Sequence, residues 1–326
     1  MPANTATLFI FNPTANNGQA ARLEPALQAA LRDASQPWEW ARTQGHGHAV
    51  GLAHAAAQEG FRRVVALGGD GTVHEVLNGL MQAPPEQRPE LAVVPIGTGN
   101  DFAFAMGAPR DPQAAVRWAL DGVARPIDVG RVHDNLGRTA FWGNTFGIGF
   151  DAIVTIRSRV LPLRGFARYL VAVLQTIFLD HQPWQARLVV DDQAEEAGFL
   201  MLVLCNGPRE GGGFHIAPHA RPDDGLLHSL LVPGVSRWTM FRLLPEFMRG
   251  TQWRFPFIRG HAFRRLEVHT DRGMAIHMDG EIFAAPHDDV RRLRVEVLPA
   301  ALAVVRRATP AEAAHAHPAG PPASGR

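Results

Sequence analysis

The chain has 326 residues, 46% of them apolar and 19% charged, with a formal net charge of +1. This is a globular composition, long enough for two domains with sizeable cores, and the near-zero charge argues against a nucleic-acid binder that works by bulk electrostatics. The single cysteine, Cys205, rules out an intramolecular disulfide framework, and its apolar setting from Leu200 onward marks a structural core thiol.

No apolar run reaches the roughly 18 residues of a membrane span, and Met1 to Ala6 lacks a signal-peptide pattern, so a cytoplasmic protein is expected. There is no lysine, and all 32 residues of the Lys+Arg count are arginine. Any cationic contact to a phosphate must therefore be a guanidinium.

From the N-terminus, Thr7 to Phe11 reads as a first strand, with Asn12 to Gly18 as the polar turn after it. Leu23, Leu27 and Leu31 give the four-residue spacing of a buried helix face. Trp38 to Thr43 is a second strand, and Gly45 and Gly47 open an alanine-rich helix ending near Gly60.

The stretch from Arg63 to Glu75 organises the first half. An apolar run, Arg63 to Leu67, leads into Gly68, Gly69, Asp70 and Gly71, whose glycines permit a positive-φ turn and a close backbone approach. Thr72 is placed to cap the helix that follows. Strand, glycine turn and helix form a phosphate cradle, because a helix N-terminus offers unpaired N–H groups and partial positive charge. Asp70 would repel a bare phosphate and makes sense beside a divalent cation or a hydroxyl donor. The same Gly-Asp-Gly pattern is also ordinary turn chemistry. A fourth strand, Leu91 to Pro95, runs into a second glycine turn, Ile96 to Asp101. Alternating strands and helices imply a parallel sheet, with the loops after its strands converging on one crevice.

The pattern changes near residues 124 to 128, where a second, mostly antiparallel domain is expected. Strands are expected at Ile127 to Val132, Thr139 to Phe146, Gln185 to Val190, Gly198 to Asn206, Leu226 to Val232, Phe263 to His269, Ala275 to Met278, Leu293 to Leu298 and Ala301 to Val305. Helices are expected at Ala152 to Arg159, Phe166 to Phe178 and Ser236 to Arg249. Two loops carry candidate chemistry: Asn206 to Gly225, with three consecutive glycines and the Asp223-Asp224 pair, and His277 to Glu281. His46 and His48 lack a further ligand at metal spacing and read as loop histidines. Aromatic residues from Trp238 to Phe257, interleaved with Arg237, Arg242, Arg249, Arg254 and Arg259, fit either a surface that meets anionic lipid or core filling. Residues 308–326 are rich in Ala, Pro, His and Gly and read as a disordered tail.

Asn12-Pro-Thr, Gly68-Gly-Asp-Gly-Thr72 with Glu75, Pro95-Ile-Gly-Thr-Gly-Asn-Asp101, Gly147-Ile-Gly-Phe-Asp151, Gly211-Gly-Gly213, Asp224-Gly225 and Asp279-Gly-Glu281 occur in the order used by bacterial diacylglycerol kinase-like lipid kinases. The chain resembles that family from Leu8 to about Val305. The resemblance implies an α/β domain with a parallel sheet at residues 1–127, which binds ATP. A mostly antiparallel β-sandwich at 128–307 would help to bind the lipid, with catalysis in the cleft between them.

It further implies nucleotide contacts from Asn12, Pro13, Thr14, Ala15 and Asn16, from Thr43, from Gly69, Asp70, Gly71, Thr72, Val73, His74 and Glu75, and from Thr98. Asp224, with the carbonyls of Arg221 and Leu226, matches a structural Mg²⁺ site, and Glu281 matches the proton acceptor. Asp70 and Asp101 would hold a catalytic Mg²⁺ or orient the hydroxyl. Three departures stand out: Ala15, Asn16 and Asn17 replace a Ser-Gly-basic pattern, His74 stands where Asn is common, and Arg157, Arg159 and Arg164 stand where lysines are frequent. The expected partner is a lipid substrate at the inner membrane surface, met by peripheral contact, with a homodimer as a possible assembly. An NAD kinase-like enzyme and a non-catalytic nucleotide or lipid sensor on the same fold are the alternatives.

Overall fold

The structure is a computed structural model, and it describes residues 5–163 and 165–308. Arg164 and the tail from residue 309 onward lie outside the described residues.

The first half alternates as expected: β1 (Thr7–Phe11), α1 (Glu24–Ala29), β2 (Trp38–Arg42), α2 (His48–Gln58), β3 (Arg63–Gly68), α3 (Asp70–Met81), β4 (Glu90–Pro95), α4 (Asp101–Met106) and α5 (Pro112–Asp121). Strands β2, β1, β3 and β4 pair in that order, all parallel. Every residue of β3 is buried, since helices cover both faces of the sheet. One face packs on α2, α3 and α4 through residues such as Ala53, Val76 and Phe102, and the other on α5 and the α1 region through Leu27 and Val116. Leu23 departs from the expected face: α1 starts after it, and it is 37% exposed.

The second half comprises β5 (Ala124–Asp134), β6 (Thr139–Trp142), β7 (Thr145–Gly149), α6 (Phe150–Val160), α7 (Gly165–Leu179), β8 (Trp184–Val190), β9 (Gln193–Cys205), β10 (Leu227–Pro233), α8 (Arg237–Arg249), β11 (Ala262–Phe263), β12 (Arg265–Thr270), β13 (Ile276–Met278), β14 (Glu281–Ala284) and β15 (Arg292–Val305). Its pairings with one another are antiparallel. The strands enclose a core that includes Trp142, Phe146, Phe199 and Phe263. Helices α6, α7 and α8 cover the outer side of β9, burying Met201, Val203 and Cys205. Burial pushes the Cys205 thiol well up, in keeping with an unreactive core residue.

Three features differ from the sequence-based expectation. The 127/128 junction falls inside β5, whose long ladder with β15 joins the two halves. The segments Leu293 to Leu298 and Ala301 to Val305 form one strand with an irregularity between Leu298 and Leu302, and its end reaches β4 through Val304 and Leu91. Finally, Thr139 to Phe146 divides into β6 and β7, because the N–H groups of Gly143, Asn144 and Thr145 turn to the Asp279 carboxylate.

Candidate active site

Two adjoining chambers open where the loops after β1, β3 and β4 face the second half. The larger, about 440 Å³, is lined by Asp70, Asp101, Tyr169, Glu210 and Glu281 among others. The smaller, about 270 Å³, is lined by Asn12, Thr14, Ala15, Thr43, Gly69, Thr72 and Glu75 among others. Asn16, Gly71, Thr98 and Glu281 border both.

The β3–α3 turn works differently from the expectation. None of Gly68, Gly69 and Gly71 has positive φ, and the helix cap is Gly69. The glycines serve close approach instead: a Cβ on Gly68 would meet Thr72 Oγ1 at 2.2 Å, and one on Gly71 would meet Glu281 Oε1 at 2.3 Å. Thr72 is not a cap; its hydroxyl accepts a hydrogen bond from Asn12 Nδ2 at 2.9 Å, tying the first loop to α3. Asn12 Oδ1 in turn accepts from the Thr14 backbone N–H at 3.0 Å. Glu75 is a cap for another helix, accepting from Gly47 N–H at 2.8 Å and Ala49 N–H at 3.1 Å at the start of α2.

Asp70 and Asp101 come together. A Cβ on Gly99 would lie 2.8 Å from Asp70 Oδ2 and 3.3 Å from Asp101 Oδ2, so the bare glycine leaves a small cradle beside two carboxylate oxygens. Burial, then the neighbouring Asp101, pushes the Asp70 carboxyl up to about 7. Burial likewise raises Asp101, against the opposing pull of Arg209. Arg209 Nε donates to Asp101 Oδ1 at 2.6 Å, and Gly212 N–H donates to Oδ2 at 2.9 Å. Arg209 neutralises Asp101, which leaves Asp70 as the carboxylate whose charge a proton or a divalent cation would relieve, and its hard oxygens are donors of the kind Mg²⁺ takes.

The Asp279-Gly280 pair forms a tight two-residue hairpin turn between β13 and β14, both with positive φ. Asp279 is consumed by structure: it accepts from Gly143, Asn144 and Thr145, and His74 Nδ1 lies 3.0 Å from its Oδ2. His74 thereby links α3 to the second half rather than lining a chamber. Val73 is buried in the first-half core, and neither it nor Pro13 lines a chamber. Glu281 points from the turn to the junction of the chambers, paired with Arg159 at 2.6 Å.

Arg221, Asp224 and Leu226 lie apart from both chambers. Asp224 accepts from Leu226 N–H at 3.1 Å, and His228 Nε2 is 3.3 Å away. Burial, with Asp224 and Asp223 adding to it, raises the proton affinity of Asp128, so this loop too concentrates negative charge that a cation would relieve.

Sequence reasoning missed a buried trio in the wall of the larger chamber, which Glu210 lines. His277 Nε2 lies 2.8 Å from Asp151 Oδ2 and 3.0 Å from Glu210 Oε1. Burial opposes a charge on His277, but Glu210 and then Asp151 outweigh it and hold the imidazole well above its ordinary proton affinity, so a proton on Nε2 bridges the two carboxylates. Gly280 N lies 3.4 Å from His277 Nδ1. The Asp-Gly-Glu motif drew attention to the turn, but nothing local in the sequence pairs His277 with residues 67 and 126 positions away.

Glycine turns beside two adjoining chambers, Asp70 and Asp101 in the wall of one and Glu281 bordering both form an arrangement suited to phosphoryl transfer. The comparisons identify which class. The diacylglycerol kinase catalytic domain matches residues 6–132, and the YegS C-terminal NAD kinase beta sandwich-like domain matches residues 144–306. The chain is 34% identical over 271 residues to a Chromohalobacter salexigens protein named probable lipid kinase YegS-like, covering 81% of this chain and 85% of that one. It is 33% identical over 259 residues to a Mycobacterium tuberculosis diacylglycerol kinase, covering 78% and 80%. A solved diacylglycerol kinase structure from Bacillus anthracis superposes with a TM-score of 0.72 at 23% identity, covering 95% of this chain and 99% of that one, and so shares the fold.

The protein belongs to the diacylglycerol kinase-like lipid kinases. It is an enzyme with an α/β domain and a β-sandwich-like domain, and ATP is the co-substrate its kinase family implies.

Proposed function

We propose that the protein transfers the γ-phosphate of ATP to the hydroxyl of diacylglycerol or a related lipid, with Glu281 as the proton acceptor. The observation that carries this reading is the position of Glu281 on the border of both chambers, where a hydroxyl from one side and a phosphate from the other meet. The hydroxyl oxygen attacks the γ-phosphorus, the bond to the bridging oxygen of ADP breaks, and the hydroxyl proton passes to Glu281. The α3 N-terminus and Thr98 favour the phosphates, and Asn12, Thr14 and Thr43 the rest of the nucleotide. Asp70, beside Asp101, would hold a catalytic Mg²⁺, and Asp224 with the Arg221 and Leu226 carbonyls a structural one; the catalytic ion supplies charge neutralisation at the transferring phosphate.

The partner surface in this reading is an anionic membrane, met by the α7–α8 face. There Trp238 is 78% exposed, Phe178 59% and Leu179 70%, beside the arginines of α8. Purified protein supplied with ATP and Mg²⁺ should phosphorylate at least one lipid from a micellar panel of diacylglycerol, sphingoid base, polyprenol and phosphatidylglycerol, and leave NAD untouched. Phosphorylation of NAD alone would overturn the assignment.

A further inference from the structure

Asp151 opens α6, Tyr169 lies on α7, Glu210 follows β9 and His277 lies on β13, yet their polar atoms meet in one buried cluster. Asp151, Glu210 and His277 are 4%, 5% and 0% exposed. Simple packing would be served as well by apolar side chains, whereas a buried ionisable group that loses its partner is strongly destabilising. Such a cluster suits a place where one arrangement must be selected over others.

What the cluster holds is specific. Glu210 pairs with Phe214 through both backbone N–H groups, at 2.8 and 2.9 Å, which closes the loop carrying Gly211 to Gly213. Gly212 in that loop clamps Asp101. On the other side, His277 begins the three-residue approach to Gly280 and Glu281, with Gly280 N 3.4 Å from its Nδ1. One imidazole thus fastens the loop that orients Asp101 to the turn that carries Glu281.

We infer that Glu210 and His277 are positioning residues for phosphate transfer, sharing the Nε2 proton with Asp151 so that the glycine loop and the hairpin turn keep one relative geometry. This rests on the lipid-kinase reading above. Neither side chain borders the nucleotide chamber, so their loss should act on turnover and not on ATP affinity. A displacement of about 1 Å at a reacting group is worth up to about 100-fold in rate.

The test uses His277→Ala, Glu210→Ala and His277→Gln, the last keeping an N–H donor near the Nε2 position. Both alanine variants should lower kcat by about 10- to 100-fold with KM for ATP within about twofold, and His277→Gln should recover most of the loss. Amide exchange at Gly211 to Gly213 and at Asp279 to Glu281 should quicken together in His277→Ala and stay near parent in His277→Gln. Parent-like kcat and unchanged exchange at both segments in the alanine variants would overturn the inference. Should the parent phosphorylate no lipid, the acceptor reading fails, and the exchange measurement still decides whether His277 couples the two segments.

Discussion

Gly71 and Gly97 sit in neighbouring turns, yet a methyl group would act differently at each. At Gly71 it would meet the end of the flexible Glu281 side chain, 2.3 Å from Oε1. At Gly97 it would meet backbone, 2.3 Å from Gly69 Cα, where nothing can swing aside. Gly71→Ala should therefore fold normally, because alanine favours a helix by up to about 1 kcal/mol over glycine, but should displace Glu281 and slow transfer by about 10-fold or more. Gly97→Ala should cost about 1–3 kcal/mol through overpacking. Thermal melts and initial rates on both variants check the contrast; a Gly71→Ala enzyme with parent turnover would mean that the position of Glu281 does not matter.

At the scale of elements, the loop before β10 and the α7–α8 face each carry an expectation. Asp128 on β5 and Asp223 and Asp224 in that loop concentrate negative charge, and Arg306 and Arg221 pair with Asp223. Asp224→Asn should lower the melting temperature measured in Mg²⁺ and reduce the gain that Mg²⁺ gives the parent. Melting curves of both proteins that do not respond to EDTA would remove the ion from this loop. The aromatic stretch after Ser236 proves to be divided: Phe247 is buried in the helix-covered core, whereas Trp238 stands out and its ring neighbours Phe241 at 6.1 Å. With the adjacent arginines, that face should bring the protein down with anionic vesicles, more weakly in high salt and more weakly still after Trp238→Ala. Equal, negligible sedimentation with anionic and neutral vesicles would contradict membrane docking there.

Across the whole molecule, what could be read from the sequence was local in it. The glycine turns after β3 and β4 carry their chemistry in consecutive residues, so Asp70 and Asp101 were legible as a pair of rim carboxylates, as was Glu281 beside its Asp-Gly turn. Roles set by distant partners were not. Thr72 has the residue type and position of a cap, but its hydroxyl goes to Asn12, 60 residues earlier. Glu75 lines the smaller chamber, and its carboxylate also holds the start of α2, a contact to residues 26 and 28 positions earlier that its own surroundings do not announce. The hairpin strand β14 was missed because four residues give too little alternation to register, and the return of β15 to β4 was missed because a strand's sequence does not name its neighbour.

That return, with the β5–β15 ladder and the His74–Asp279 contact, brings a turn from the second half against the β3–α3 glycine turn of the first. Phosphate transfer as proposed depends on Glu281 acting across the cleft, and Glu281→Gln tests it most directly, since the change keeps the shape and removes the proton-accepting charge. On the lipid the parent prefers, the variant should bind ATP as the parent does, melt near the parent temperature and transfer phosphate about 10² to 10⁴-fold more slowly. Turnover near that of the parent would contradict the account and move the proton-accepting role to Asp70 or Asp101.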